Sequence, residues 1–191
     1  MLMRHAKSAA AKRLGSPNLG GDGEQSDHAR PLSAEGHRAA AAMRTALRER
    51  GLIPDVVLVS SARRTLQTLE ALEPWDDSPL VEPMDRLYLA TAPVILRVLG
   101  GVSETVRSVM VIGHNPGLHD LATSLLGAQG VAPGSPASRL AEGFPPGAVA
   151  LFTTSRPWSA LDEDGGSERP ETGGFRLDVF LCPRDLPELR N

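Results

Sequence analysis

The chain has 191 residues, 41% apolar but only 4% aromatic, which suits one domain whose core rests on Leu, Val and Ala. Its 20 basic and 23 acidic side chains leave a formal charge of −3, which excludes the broad basic footprint of a nucleic-acid or anionic-membrane binder. The single cysteine, Cys182, excludes an internal disulfide and a Cys-rich zinc site. No apolar run approaches the roughly 20 residues of a membrane span. No charged segment followed by an apolar one marks a secretory signal, so a cytoplasmic enzyme is expected, with any anion site confined to a few focused arginines.

Met1-Leu2-Met3 reads as the end of a buried strand, and Gly15 to Asp27, rich in Gly, Ser and Asp, as a surface loop. Ser33 is an N-cap with Glu35 in the first turn, where the helix dipole favours an anion. Ala39, Met43, Ala46 and Leu47 recur at helical spacing up to Gly51. Asp55 to Ser60 is a continuous apolar run suited to a parallel strand covered on both faces. A helix from about Ala62 turns Leu66, Leu69 and Leu72 inward until Pro74.

Thr91 caps another helix, with Pro93 in its first turn and Gly100-Gly101 closing it. Val109 to Ile112 is the next buried strand and Leu118 to Leu126 the next helix, stopped by Gly127. Gly127 to Pro146 reads as a long loop. Ala148 to Thr153 and Phe175 to Leu181 are strands, the second near an edge, with a polar excursion from Ser155 to Gly174 between them. Cys182 reads as a buried apolar filler. Strands alternating with helices predict a single three-layer α/β/α domain over 1–191 with a mostly parallel sheet and loop insertions at about 15–27, 127–146 and 155–174.

In open α/β sheets, sites gather at the carboxyl ends of strands. Arg4-His5, Ser60 to Arg64 and Gly113-His114 each fall just past such an end. A neutral imidazole can attack phosphorus and carry the phosphoryl group covalently, splitting one difficult transfer into two easier ones. Arginines placed beforehand stabilise the charge on the equatorial oxygens through bidentate hydrogen bonds. The expected roles are therefore His5 as nucleophile and Arg4, Arg64 and His114 as the phosphate clamp. Such a site needs neither metal nor cofactor.

The chain resembles the histidine phosphatase superfamily, the phosphoglycerate mutase-like fold, and within it the SixA-like phosphohistidine phosphatases. Arg4-His5-Ala6 matches the Arg-His-Gly signature, with Ala in the third position. Arg30-Pro31-Leu32-Ser33-Ala34-Glu35-Gly36 resembles the SixA-like Arg-Pro-Leu block. Ser60 to Thr68 resembles the block that places the catalytic arginine at Arg64 rather than at its rival Arg63. Gly113-His114-Asn115-Pro116-Gly117 matches the block of the second histidine. The resemblance covers about Met1 to Leu126 and is weaker from Ala148 to Leu186. It implies phosphorylation of His5 on a ring nitrogen, with Arg4, Arg64, His114 and Ser8 around the phosphate.

Two departures bear on function. Relatives usually carry several residues before the Arg-His pair, so either the start lies upstream or the first strand is abbreviated. Many relatives also place a glutamate beside the leaving group as general acid. Here only Glu82 and Asp85 occupy that part of the chain, neither in a matching pattern. An alkoxide leaves poorly without a proton donor, whereas the nitrogen of a phosphohistidine leaves readily. The implied substrate is therefore a phosphohistidine on a protein, such as a histidine phosphotransfer domain. The alternatives are a small phosphate ester handled with Glu82 or Asp85, and a phosphate-binding module without turnover. Lys7 reads as a solvated rim residue, and His28, His37 and His119 as solvated or surface positions.

Overall fold

A computed structural model describes residues 1–10, 27–127, 132–161 and 174–189. The expected loop at 15–27, apart from Asp27, and most of the expected excursion at 155–174 lie outside the described residues.

Six strands form one sheet: β1 (Leu2–Arg4), β2 (Val56–Ser60), β3 (Leu80–Met84), β4 (Val109–Gly113), β5 (Val149–Thr154) and β6 (Phe175–Leu181). Their spatial order is β3-β2-β4-β1-β5-β6. β3, β2, β4 and β1 run parallel; β5 is antiparallel to β1, and β6 to β5. Among the described residues five helices accompany them: α1 (Ala34–Arg48), α2 (Arg63–Leu72), α3 (Ala92–Gly100), α4 (Gly117–Leu126) and α5 (Pro136–Glu142). This is the mixed α/β architecture with a mostly parallel sheet that the sequence predicts.

The period-2 alternation of a strand splits the core into two layers. Val57, Val59, Met110, Ile112 and Met3 face one side, against Met43 and Leu47 of α1 and Leu69 and Leu72 of α2. Val56, Leu58, Val109, Val111 and Leu2 face the other, against Ile95 and Leu96 of α3 and Leu118, Leu121 and Leu125 of α4. β2 and β4 are buried at every residue. This explains their unbroken apolar runs and leaves only their ends free for polar chemistry. Cys182 is buried in the same core as Phe180.

Local signals act as expected at α1, where the Ser33 hydroxyl accepts from the Gly36 amide at 3.0 Å. Two elements escape the sequence pattern. β3 carries Pro83 and shows no alternation, which a strand tolerates here because it is the sheet edge. The segment read as a loop from Gly127 to Pro146 contains α5, capped by Ser135 on the Ser138 amide. Its Gly, Pro and Ser content masks a helix of only two turns.

Two glycines let backbones meet beside the strand ends. A Cβ on Gly36 would stand 2.1 Å from the Lys7 carbonyl, and one on Gly117 1.9 Å from the Ala90 carbonyl. The first turn of α1 thus lies against the segment following His5, and the start of α4 against the segment before α3. Among the described residues no helix is long and apolar enough to cross a membrane.

Candidate active site

The carboxyl ends of β1, β2 and β4 open into a cleft of about 360 Å³ lined by Arg4, His5, Ser8, Arg64 and His114, among others. The five positions singled out from the sequence are therefore brought together. Register explains why: Arg4 lies opposite Gly113, so His5 and His114 leave adjacent parallel strands side by side. Their ring centroids are 5.2 Å apart.

His5 is held by backbone on three sides. Its amide donates to the Gly113 carbonyl at 3.1 Å, its carbonyl accepts from the Gly147 amide at 3.1 Å, and its Nδ1 lies 2.7 Å from the Ala6 carbonyl. A carbonyl only accepts, so Nδ1 carries the proton and Nε2 keeps its lone pair. Burial pushes His5 down to about 4; the Ala6 bond opposes this, and the charges of Arg64, Arg4 and Arg30 add to it. The imidazole is thus neutral at pH 7, as a nucleophile requires.

Arg64 is 1% exposed although its neighbour Arg63 is exposed, which settles which of the two reaches the cleft. Its Nη1 donates to the Asp27 carbonyl at 2.6 Å, and its Nη2 donates to Asp27 Oδ2 at 3.0 Å and to His114 Nδ1 at 3.2 Å. Because Arg64 donates there, His114 Nδ1 accepts, and its Nε2–H faces the Ser60 hydroxyl at 2.7 Å. Burial, with Arg64 and His5 reinforcing it, pushes His114 down to about 3. Arg4 donates to the Phe144 carbonyl at 2.9 Å, and Asn115 donates to the same oxygen at 3.1 Å. The Nε atoms of Arg4, Arg30 and Arg64 are buried without a hydrogen-bond partner among the described residues.

The helix after β2 ties these parts to one another. Thr65 Oγ1 donates to the Ser60 carbonyl at 2.7 Å, so the turn out of the strand is fixed. Gln67 accepts from the Leu32 amide at 2.8 Å, and Thr68 Oγ1 accepts from the Ala6 amide at 3.0 Å. The Arg-x-x-Gln-Thr spacing from Arg64 to Thr68 thus holds one side chain in the cleft and two against the other loops. Ser8 pairs with Leu32 in an isolated bridge at the rim.

Sequence reasoning missed Asp27 and Tyr88. Asp27 bridges Arg64, Arg30 (2.8 Å) and the Tyr88 hydroxyl (2.8 Å). Its partial burial works to raise its pKa, but the Tyr88 bond and the charges of Arg64 and Arg30 hold it below the usual value. The available signal was an acidic residue three before Arg30 at the end of a loop. The Tyr88 ring meets His114 edge-on at 5.5 Å and His28 at 4.8 Å. His28 is therefore not a solvated loop residue: it packs on Tyr88 and reaches the Ser61 hydroxyl at 3.0 Å. His119 bonds the Leu140 carbonyl at 2.9 Å, while Lys7 at the rim pairs with Glu35.

The structure does not bring Glu82 or Asp85 into this cleft. Glu82 lines a separate groove with Leu58, Met84 and Val102, and Asp85 is exposed in the turn that follows β3. On an edge strand the outward-pointing positions face solvent, not the strand-end crevice.

The profile of the histidine phosphatase superfamily (branch 1) matches residues 1–87. An uncharacterized protein of Mycobacterium tuberculosis is 31% identical over 160 residues, which are 84% of this chain and 92% of that protein. A structure from Nakamurella multipartitia assigned as a SixA phosphohistidine phosphatase is 30% identical, covers 95% of each chain, and has a TM-score of 0.71. Another so assigned, from Agrobacterium tumefaciens, is 25% identical over 95% of this chain and 96% of that one, with a TM-score of 0.68. The chain belongs to the histidine phosphatase superfamily. It is SixA-like within that family and is a hydrolase of phosphoric groups.

Proposed function

We propose that this histidine phosphatase removes the phosphoryl group from phosphohistidine on a protein partner, through a phosphohistidine formed on its own His5. The observation that carries the nucleophile is the tautomer of His5: Nδ1–H is committed to the Ala6 carbonyl, and Nε2, without a hydrogen-bond partner among the described residues, lies within a cleft of arginines. In the first step Nε2 forms a bond to phosphorus as the substrate's P–N bond breaks, and the leaving imidazole takes a proton from solvent. In the second, water attacks phosphorus, the P–Nε2 bond breaks, and inorganic phosphate departs with His5 again neutral.

Arg4 and Arg64 stabilise the charge on the equatorial oxygens through their cleft-lining guanidinium groups. Those guanidinium groups supply the neutralisation that a metal ion gives in other phosphoryl transfers, so the proposed reaction is metal-independent. His114 has both ring nitrogens engaged by Ser60 and Arg64. It contacts a phosphoryl oxygen only once the incoming dianion favours its protonation and Arg64 turns to the substrate. The leaving-group chemistry supports the substrate. Asp27, the carboxylate of this cleft among the described residues, is held ionised and is a poor proton donor at neutral pH, which suits a nitrogen leaving group better than an alkoxide.

The test uses wild type and His5→Ala with a phosphorylated histidine phosphotransfer domain and, separately, an aryl phosphate. Wild type is expected to dephosphorylate the domain and His5→Ala to lose activity on both. Full activity of His5→Ala would end the nucleophile assignment. Cleavage of the aryl phosphate alone would end the phosphohistidine reading and leave the fold untouched.

A further inference from the structure

Beside the charged groups of the cleft stands one large, half-exposed apolar side chain. Leu89 lines the cleft, is 51% exposed, and has φ of 49°, the left-handed region. A β-carbon makes that conformation costly, and Gly or Asn fills it with less strain. Such strain persists only where neighbours over-determine it. Here they do: Leu87 and Ala90 are buried, the Ala90 carbonyl is pressed on Gly117, and the Tyr88 hydroxyl is bonded to Asp27. The clamped segment 87–90 holds Leu89 at the exposed side of the cleft.

The depth profile of the cleft gives that position a meaning. The phosphate-handling groups lie deep, with Arg64 1%, His114 2% and His5 8% exposed. In-line displacement from His5 Nε2 expels the leaving group on the opposite side of phosphorus, away from the buried imidazole and toward the mouth. Of the described residues lining the cleft, only Leu89 and Pro146 are apolar.

We propose that Leu89 is a specificity-determining contact: its side chain covers the face of a flat, ring-bearing leaving group and so favours such phosphoryl donors. The proposal deepens the phosphohistidine reading and rests on it for the identity of the ring, an imidazole carried by a protein. An aliphatic side chain about half exposed still has apolar area to lose to a ligand, enough for a several-fold preference.

The experiment compares wild type with Leu89→Asn and Leu89→Gly, both suited to a positive φ, and with Leu80→Asn, which removes the other large exposed leucine among the described residues, on β3. Calorimetry measures the affinity ratio of phenylphosphonate to methylphosphonate. Kinetics on the phosphorylated phosphotransfer domain separates KM from kcat. The expected result is a ratio about fivefold lower in both Leu89 variants, a KM about fivefold higher with kcat within twofold, and no change in Leu80→Asn. A phosphonate ratio within twofold of wild type in both variants overturns the proposal. So does an unchanged KM in an enzyme that turns the phosphoprotein over. A wild type with the Leu89-dependent ratio but no phosphoprotein turnover removes the phosphohistidine reading and keeps Leu89 as the ring contact.

Discussion

The carboxyl ends of β1, β2 and β4 and that of β3 lie in one parallel array, yet the first three deliver His5, Arg64 and His114 at or just past the strand end, whereas β3 reaches the cleft only through Tyr88 and Leu89 of the turn that follows it. β2 and β4 are buried at every residue, so polar groups appear only where the chain leaves the sheet, as Ser60, Arg64 and His114 do. β3 pairs on one side alone, and its acidic residue Glu82 sits in the strand, exposed along the edge. The difference teaches that position within the sheet, more than proximity in sequence, decides which ionisable residues reach the crevice. A carboxylate near the right place in the chain has no functional weight if its strand is the last one.

The strongest way to probe that contrast is on the central side. Arg64→Lys keeps the charge but loses the planar fork that holds Asp27 and His114 together. Steady-state kinetics should show kcat/KM lower by about 100-fold, the scale of one lost transition-state donor. Arg63→Lys, altering an exposed neighbour, serves as the matched comparison and should stay within twofold of wild type.

A smaller effect separates the regions by pH. The folded values of about 4 for His5 and about 3 for His114 lie below the unfolded value of about 6.5, so the unfolded chain takes up these protons first. The stability that neutral histidines contribute is complete above pH about 6.5 and is lost as pH falls toward those folded values. Urea unfolding should show wild type losing about 2 kcal/mol more than His5→Gln between pH 6.5 and 4.5, from the histidine His5→Gln removes. The smallest effect belongs to the edge: Glu82→Gln and Asp85→Asn should each keep aryl phosphatase activity within twofold of wild type.

Much of this arrangement was legible in the sequence. Apolar runs of strand length announce β2 and β4, Ser33 and Gly51 bracket α1, and the polar residues stand where those runs stop. β3 was not legible because an edge strand with Pro83 needs no alternation, and α5 was not because its capping Ser135 sits among residues that ordinarily mark loops. In the site, the convergence of His5, Arg4, Arg64 and His114 in one cleft was readable from strand-end position and motif, and the place of Ser8 beside them from the family resemblance. Asp27, Tyr88 and His28 were not. Their roles come from contacts across 37 and 61 residues of chain, as between Asp27 and Arg64 or Tyr88, which no local pattern encodes.

The central claim is that His5 carries the phosphoryl group, and trapping that state tests it most directly. Wild type mixed briefly with labelled substrate, quenched in alkali and digested should yield one acid-labile, base-stable phosphopeptide containing His5, and His5→Ala should yield none. Turnover without any phosphorylated His5, or a label on another residue that survives in His5→Ala, would contradict the account.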